Sequence, residues 1–388
     1  MKLAMLTLLA CGAALATLAS CGGSSGSNQS GPPVESSFAA TTLVSNGPIP
    51  ATHADANLKN AWGVAFNPKG FVWVADNGTN LATLYDGNGV PQSLVVTIPD
   101  GASGPASPTG IVFNGTQSFR VTESGKSGVA AFIFAGEGGT ITAWAPAVGP
   151  TSAFVMYDDG AGGAVYKGLA LAENNGSNFL YATDFHNSKI DVFDANFVKV
   201  NMPGAFTDPA IPAGFAPFGI QLVGSSLFVT YAKQDADRHD DVAGAGLGMV
   251  DVFDTAGNLK QHFATGGALN APWGIAQAPS NFGSLGGAVL IGNFGDGRIN
   301  AFNASSGQLI AAVHDSNGNA IVEQGLWGIA FGNGLNNQPS NTLFFAAGPN
   351  DEADGAYGRI DLKPAAASGS TTGTSSGTSS SAGAGTGM

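Results

Sequence analysis

Trp62-Gly63-Val64-Ala65-Phe66, followed by Val72-Trp73-Val74-Ala75-Asp76-Asn77, decides the fold, because this pair returns along the chain at a nearly fixed interval. Later copies of its first half are Pro108-Thr109-Gly110-Ile111-Val112-Phe113, Tyr166-Lys167-Gly168-Leu169-Ala170-Leu171, Pro217-Phe218-Gly219-Ile220-Gln221-Leu222, Pro272-Trp273-Gly274-Ile275-Ala276 and Leu326-Trp327-Gly328-Ile329-Ala330-Phe331. Aligned on the shared glycine, the six copies lie 47, 58, 51, 55 and 54 residues apart. That period suits one four-stranded propeller blade and not a helical solenoid unit. A second apolar run follows each first one, as in Phe179-Leu180-Tyr181-Ala182, and then a third, as in Lys189-Ile190-Asp191-Val192-Phe193-Asp194. Their period-two alternation is that of strands with one face against a neighbour. The expectation is an all-β, six-bladed β-propeller over residues 39–363.

The shared glycine would weaken an ordinary strand. In a ring it has a reason, since innermost strands crowd the central channel and a residue without Cβ permits close backbone approach. The last copy reaches Tyr357-Gly358-Arg359-Ile360-Asp361-Leu362 without a fourth strand, while Thr41-Thr42-Leu43-Val44-Ser45 precedes the first copy with nothing to pair to. The N-terminal strand is therefore predicted to complete the last blade, closing the ring and removing two open sheet edges.

The chain has 388 residues with 58 Gly and 20 Pro, which suits tight turns between short strands and leaves little room for helix. A formal charge of -13 repels phosphate backbones and argues against nucleic acid as a partner. Met1 and Lys2 precede an apolar run, Leu3 to Leu18, that is too short for a membrane span and reads as an export signal. It ends in Leu18-Ala19-Ser20-Cys21, which resembles the lipobox of bacterial lipoproteins. That resemblance implies a signal peptide over 1–20, diacylglycerol on Cys21, membrane anchoring through the acyl chains and, with Gly22 next, outer-membrane sorting in a Gram-negative cell. Cys11 lies in the leader, so the mature chain has no second thiol for an internal disulfide. Residues 21–38 read as a disordered tether, and 364–388, a Ser/Thr/Gly/Ala run, as a disordered tail.

The repeat resembles that of NHL-type six-bladed propellers, which runs roughly Pro-x-Gly-Ile-Ala, Val-Tyr-Val-Ala-Asp, Arg-Ile-x-Val-Phe-Asp. With Tyr231-Ala232-Lys233-Gln234-Asp235-Ala236-Asp237-Arg238-His239-Asp240-Asp241 and Gly348-Pro349-Asn350-Asp351-Glu352, the chain also resembles an uncharacterised family of exported bacterial proteins of this architecture. The resemblance implies a fold and brings no activity.

Loops entering the first strands and joining second to third strands should share one face around the channel mouth. The position ending the second strand is read as Asp76, Glu123, Asp184 and Asn293 in copies one, two, three and five. Four such oxygen side chains are candidate ligands for Ca2+; capping of the following turn accounts for them without an ion. Three acidic insertions open on the same face, with His53 and Asp55, with Asp235, Asp237 and His239, and with Asp351. His186, beside Asp184, and His239 are candidate general bases. Six-bladed lactonases and related esterases hold a channel metal with a Glu, Asn and Asp set, and their signature is not reproduced here. The expectation is a lipid-anchored envelope module that binds a protein, glycan or small ligand, with a Ca2+-dependent lactonase or esterase as the competing class. Replacing Cys21 with Ala should move the protein from the membrane to the soluble fraction in a cell-fractionation experiment; continued retention contradicts the anchor.

Overall fold

The inner strands follow from the repeat: each shared glycine sits in a strand whose backbone touches the next. The structure is a computed structural model that describes residues 36–363. The leader, Cys21, the tail and residues 21–35 of the tether lie outside the described residues. Contacts divide the chain after Val34, and all that follows concerns the second unit, Glu35–Met388.

Six sheets follow in chain order, the first five antiparallel with strands laid from the centre outwards and the last completed at its outer edge by the N-terminal strand. Blade 1 is built from Ala61–Phe66, Val72–Asp76, Leu81–Tyr85 and Val96–Thr97, and blades 3, 4 and 5 repeat the pattern from Tyr166–Asn174, Phe215–Val223 and Pro272–Gln277. In the last blade Leu326–Phe331, Leu343–Ala347 and Ala356–Leu362 are joined by Phe38–Ser45, whose register runs from Phe38 opposite Leu362 to Ser45 opposite Ala356. The predicted closure is thus present. Phe38 is buried and packs on Phe282, their ring centroids 4.7 Å apart, and Ser36 and Ser284 exchange hydrogen bonds. The folded unit therefore includes residues that the sequence assigned to the tether. Helix among the described residues is limited to three 3-10 turns, and no helix there is long and apolar enough to cross a membrane.

Six apolar clusters fill the six interfaces between successive blades, and a seventh lies at one mouth of the channel. Burial of large side chains such as Trp73, Phe132 and Phe345 is worth about 1.5–3 kcal/mol each, which makes these wedges the main source of cohesion.

The glycines set how tightly the ring closes. A Cβ on Gly63 would fall within 3.0 Å of Thr109 O, one on Gly110 of Leu169 N, on Gly168 of Phe218 O, on Gly219 of Trp273 O, on Gly274 of Trp327 O, and on Gly328 of Trp62 O. The chain of contacts passes through all six blades and returns to its start. Backbone on the facing strand cannot rotate away as a side chain can, so each added methyl must push two blades apart. Gly219→Ala should cost about 2 kcal/mol or more in a denaturant titration. Gly115→Ala, where the nearest atom would be 3.5 Å away, should stay within about 0.5 kcal/mol. Equal effects of the two would contradict the crowding argument.

Candidate functional site

The residue before each shared glycine forms the innermost tier at the end of the channel where the first strands begin. Around the ring it reads Trp62, Thr109, Lys167, Phe218, Trp273 and Trp327, all buried. Trp62 stacks on Trp327 with centroids 3.4 Å apart, Trp273 meets both edge-on, and Phe294 stacks on the other side of Trp327 at 4.0 Å. These rings close the channel as an aromatic plug. The opposite mouth is a cavity of about 460 Å³ ending in Phe66, Phe113, Leu171 and Phe331, with no ionisable side chain in its wall.

Lys167 is the one charge in this tier, and it is only 1% exposed. A bare ammonium cannot remain there without partners. Its Nζ donates to Glu137 and, at 3.2 Å, to Asp240 Oδ1, and lies 5.1 Å from the Trp62 ring centre. Burial alone would lower its pKa; Glu137 and Asp240 more than reverse this, so the lysine stays protonated. The network continues through Glu137 Oε2, which accepts from Asn77 Nδ2 at 2.7 Å, to Asn60 and on to Trp62 Nε1. At its other end His239 Nδ1 lies 2.9 Å from Asp240 Oδ1, a hydrogen bond that raises the histidine and holds the carboxyl below its usual range.

Above the plug lies a cavity of about 240 Å³ lined by Trp62, Phe294, Trp327, Asp240, Asp241, Asp351 and Glu352. Two of the three predicted acidic insertions therefore meet here. Lys167 pairs with both Glu137 and Asp240, and His239 hydrogen-bonds Asp240, which leaves Asp241, Asp351 and Glu352 without an ion-pair partner among the described residues. Burial pushes Asp241 up to about 7, and burial and then Glu137 raise Glu352. Asp241 Oδ2 and Glu352 Oε1 are buried and accept no hydrogen bond. The loop that delivers Glu352 is strained, since Asn350, Asp351 and Glu352 have φ of 57°, 53° and 63°, three successive non-glycine residues in the left-handed region.

No protein-family model matches the chain. Uncharacterized protein R648 of Acanthamoeba polyphaga mimivirus is 33% identical over 325 residues, 82% of this chain and 78% of that protein. The chain belongs to the family of R648. Uncharacterized protein L690 of the same virus is 32% identical, covering 82% of this chain and 84% of its own. Among solved structures, the soluble aldose sugar dehydrogenase of Escherichia coli in its apo-form matches at a TM-score of 0.52 with 13% identity, over 84% of this chain and all of that one, a likeness of fold alone.

In this R648-family chain the predicted cation ring does not assemble. Glu123 ends no blade strand: Arg120–Glu123 and Lys126–Val129 pair only with each other as an inserted hairpin, turned by Ser124 and Gly125 at positive φ. The second strand of blade 2 is Phe132–Gly136, and Glu137 follows it. Asp184 accepts from Val165 N and Asn187 and lies 3.3 Å from Lys189 Nζ, while Asn293 donates to Ala268 O and Asp296, so both bind their own loops. Asp76 is fully buried with neither carboxylate oxygen in a side-chain hydrogen bond, and burial above all holds its carboxyl well above the usual range. Among the described residues, the groups of three or more His, Asp and Glu whose ligand atoms approach within 4.8 Å are Glu137 with His239 and Asp240, and Asp208 with Asp251 and His262; Asp76, Glu123 and Asp184 belong to neither.

The first insertion also departs from expectation. His53–Ala54 pairs in parallel with Phe38–Ser45 at the outer edge of the last blade, and Asp55 accepts from Asn57 N and from the Tyr85 hydroxyl, which keeps both residues off the cavity wall. His186 is half-buried beside Gly163. Asp235 accepts from His239 N and so shapes the loop, with Asp237 exposed within it. Lys167, Glu137 and Glu352 were not among the expected site residues. The signal for Lys167 was present, as the single charge in the column before the aligned glycines.

Replacing Lys167 with Met leaves the largely buried Glu137 uncompensated, so chemical denaturation should show a loss of about 3 kcal/mol. Lys167→Met combined with Glu137→Gln should recover part of that loss, and no recovery would remove the ion pair from the account.

Proposed function

We propose that the protein is a lipid-anchored envelope module that binds a small organic cation, an amine-bearing ligand, in the cavity above the aromatic plug. The anchor rests on the Leu18-Ala19-Ser20-Cys21 sequence, and with it the placement in the outer membrane of a Gram-negative cell. One observation carries the ligand class: Asp241 Oδ2 and Glu352 Oε1 are buried without a hydrogen-bond partner beside an aromatic floor. A protonated amine would satisfy both oxygens, and rings beneath it add attraction to its charge. The strained loop at 350–352 supports this reading, since three successive left-handed residues place a carboxylate on the cavity wall.

A Ca2+-dependent lactonase or esterase at this mouth has less support. Glu137, His239 and Asp240 form a possible ligand group, but the Lys167 ammonium already bonds both carboxylates where a metal would sit. The same protonation withholds Lys167 from service as a nucleophile.

Calorimetric titration of putrescine, spermidine and glucosamine against glucose tests the reading. The amines should bind and glucose should not, with affinity lowered at least about tenfold by Glu352→Gln. Burial holds the Asp241 carboxyl up at about 7, so it becomes neutral as pH falls and amine affinity should fall from pH 8 to pH 5.5. Equal binding of glucose, or amine binding indifferent to Glu352→Gln, would overturn the assignment.

A further inference from the structure

A second group of ionisable side chains lies on blade 4, away from the mouth. Asp251 is in the third strand, Met249–Phe253, and its cross-strand partner is His262 in Leu259–Thr265, at a register shift between Val250 and Asp251. Such a bulge re-aims side chains, and here it sets a carboxylate and an imidazole on one side of the sheet. Asp208 arrives from the segment joining blades 3 and 4. His262 Nδ1 lies 3.0 Å from Asp208 Oδ2 and 3.3 Å from Asp251 Oδ1. The two carboxylate side chains are 2% and 3% exposed, while the histidine is 53% exposed and open to solvent.

The same position in blade 3 shows what is missing. Asp191 occupies the corresponding place in its third strand, and it is held by Lys189 at 2.9 Å, Lys199 at 2.7 Å and the Tyr166 hydroxyl at 2.9 Å. Blade 3 also brings in a second carboxylate, Asp159, but Lys199 holds it at 3.1 Å; blade 4 pairs Asp208 and Asp251 with a histidine and with no lysine. Asp251 Oδ2 is buried with no hydrogen-bond partner, and so is the hydroxyl of Tyr231, which is 4% exposed. Tyr231 is two residues beyond Val229, the cross-strand partner of Asp251, and so shares its face; after burial, Asp251 and Asp208 are the main influences on its hydroxyl. Burial and then Asp208 push the Asp251 carboxyl up to about 7. Two buried carboxylates and a solvent-facing imidazole thus meet with no lysine or arginine paired to them among the described residues.

We propose that Asp208, Asp251 and His262 bind one divalent transition-metal ion of the zinc class, with a remaining coordination position open to solvent beside the histidine. Ligand atoms on a tetrahedral zinc at about 2.1 Å stand about 3.4 Å apart, close to the spacings of 3.0 Å and 3.3 Å seen here. An imidazole nitrogen and few oxygens suit zinc, cobalt or nickel, whereas Ca2+ takes about 6–8 oxygens. The bound ion clips the connecting segment to blade 4, doing for Asp251 what the two lysines do for Asp191.

The test is titration of the chelator-stripped full chain with Co2+. One equivalent should bind with a tetrahedral ligand-field absorption, be displaced by Zn2+ and raise Tm. His262→Ala, at an exposed position, should fold as the parent does and lose at least about tenfold in affinity. Asp251→Asn should abolish the absorption and yet raise the Tm of the metal-free chain, because it removes one of two repelling carboxylates; a purely structural aspartate would lower it. Absence of Co2+ binding, or binding unchanged in His262→Ala, would overturn the site and leave the two carboxylates sharing a proton.

Discussion

The contact of each first-strand glycine with the backbone of the next blade is the constraint on which the rest depends. Each of six neighbouring first strands meets the next at a spacing that admits no Cβ, and the sixth returns to the first. Each blade's position is then set by both neighbours, and the apolar wedges between blades can pack only if the circle is complete. Closure by Phe38–Ser45 belongs to the same constraint, since without it the last sheet would end in an unpaired edge.

Close approach at the glycines also decides where chemistry can lie. With the first strands drawn close around a narrow channel, the residues just before the glycines are forced together at one mouth, and large rings there exclude water. A lysine in that tier has to bring its own counter-charges. Glu137 comes from blade 2 and Asp240 from the long loop of blade 4, so the ion pairs join three blades across the mouth. Once these charges are matched, the remaining carboxylates face the cavity unmatched, and their tendency to keep protons follows from burial beside like charges.

Much of the fold was legible in the residues. The glycine spacing counted the blades, and a missing last strand together with an orphan first strand specified the closure. The site was legible only in part. Position along a strand says nothing about which of two hairpins is in the sheet, so Glu123 took the place that belongs to Glu137; the inserted hairpin also explains why the interval from 110 to 168 is the longest of the five. Asp184 and Asn293 carry the right atoms for a metal but spend them on their own loops, which depends on side-chain direction rather than residue type. Asp208 could be joined to Asp251 only by the path of an irregular segment, and no periodicity reports such a path.

Native-state amide hydrogen exchange tests the closed circle most directly. The account predicts that amides in Phe38–Ser45 and in all six first strands exchange through one common opening with the same free energy as global unfolding, because no blade can leave without opening its neighbours. Exchange of Phe38–Ser45, or of any single inner strand, through a separate and much cheaper opening would contradict it.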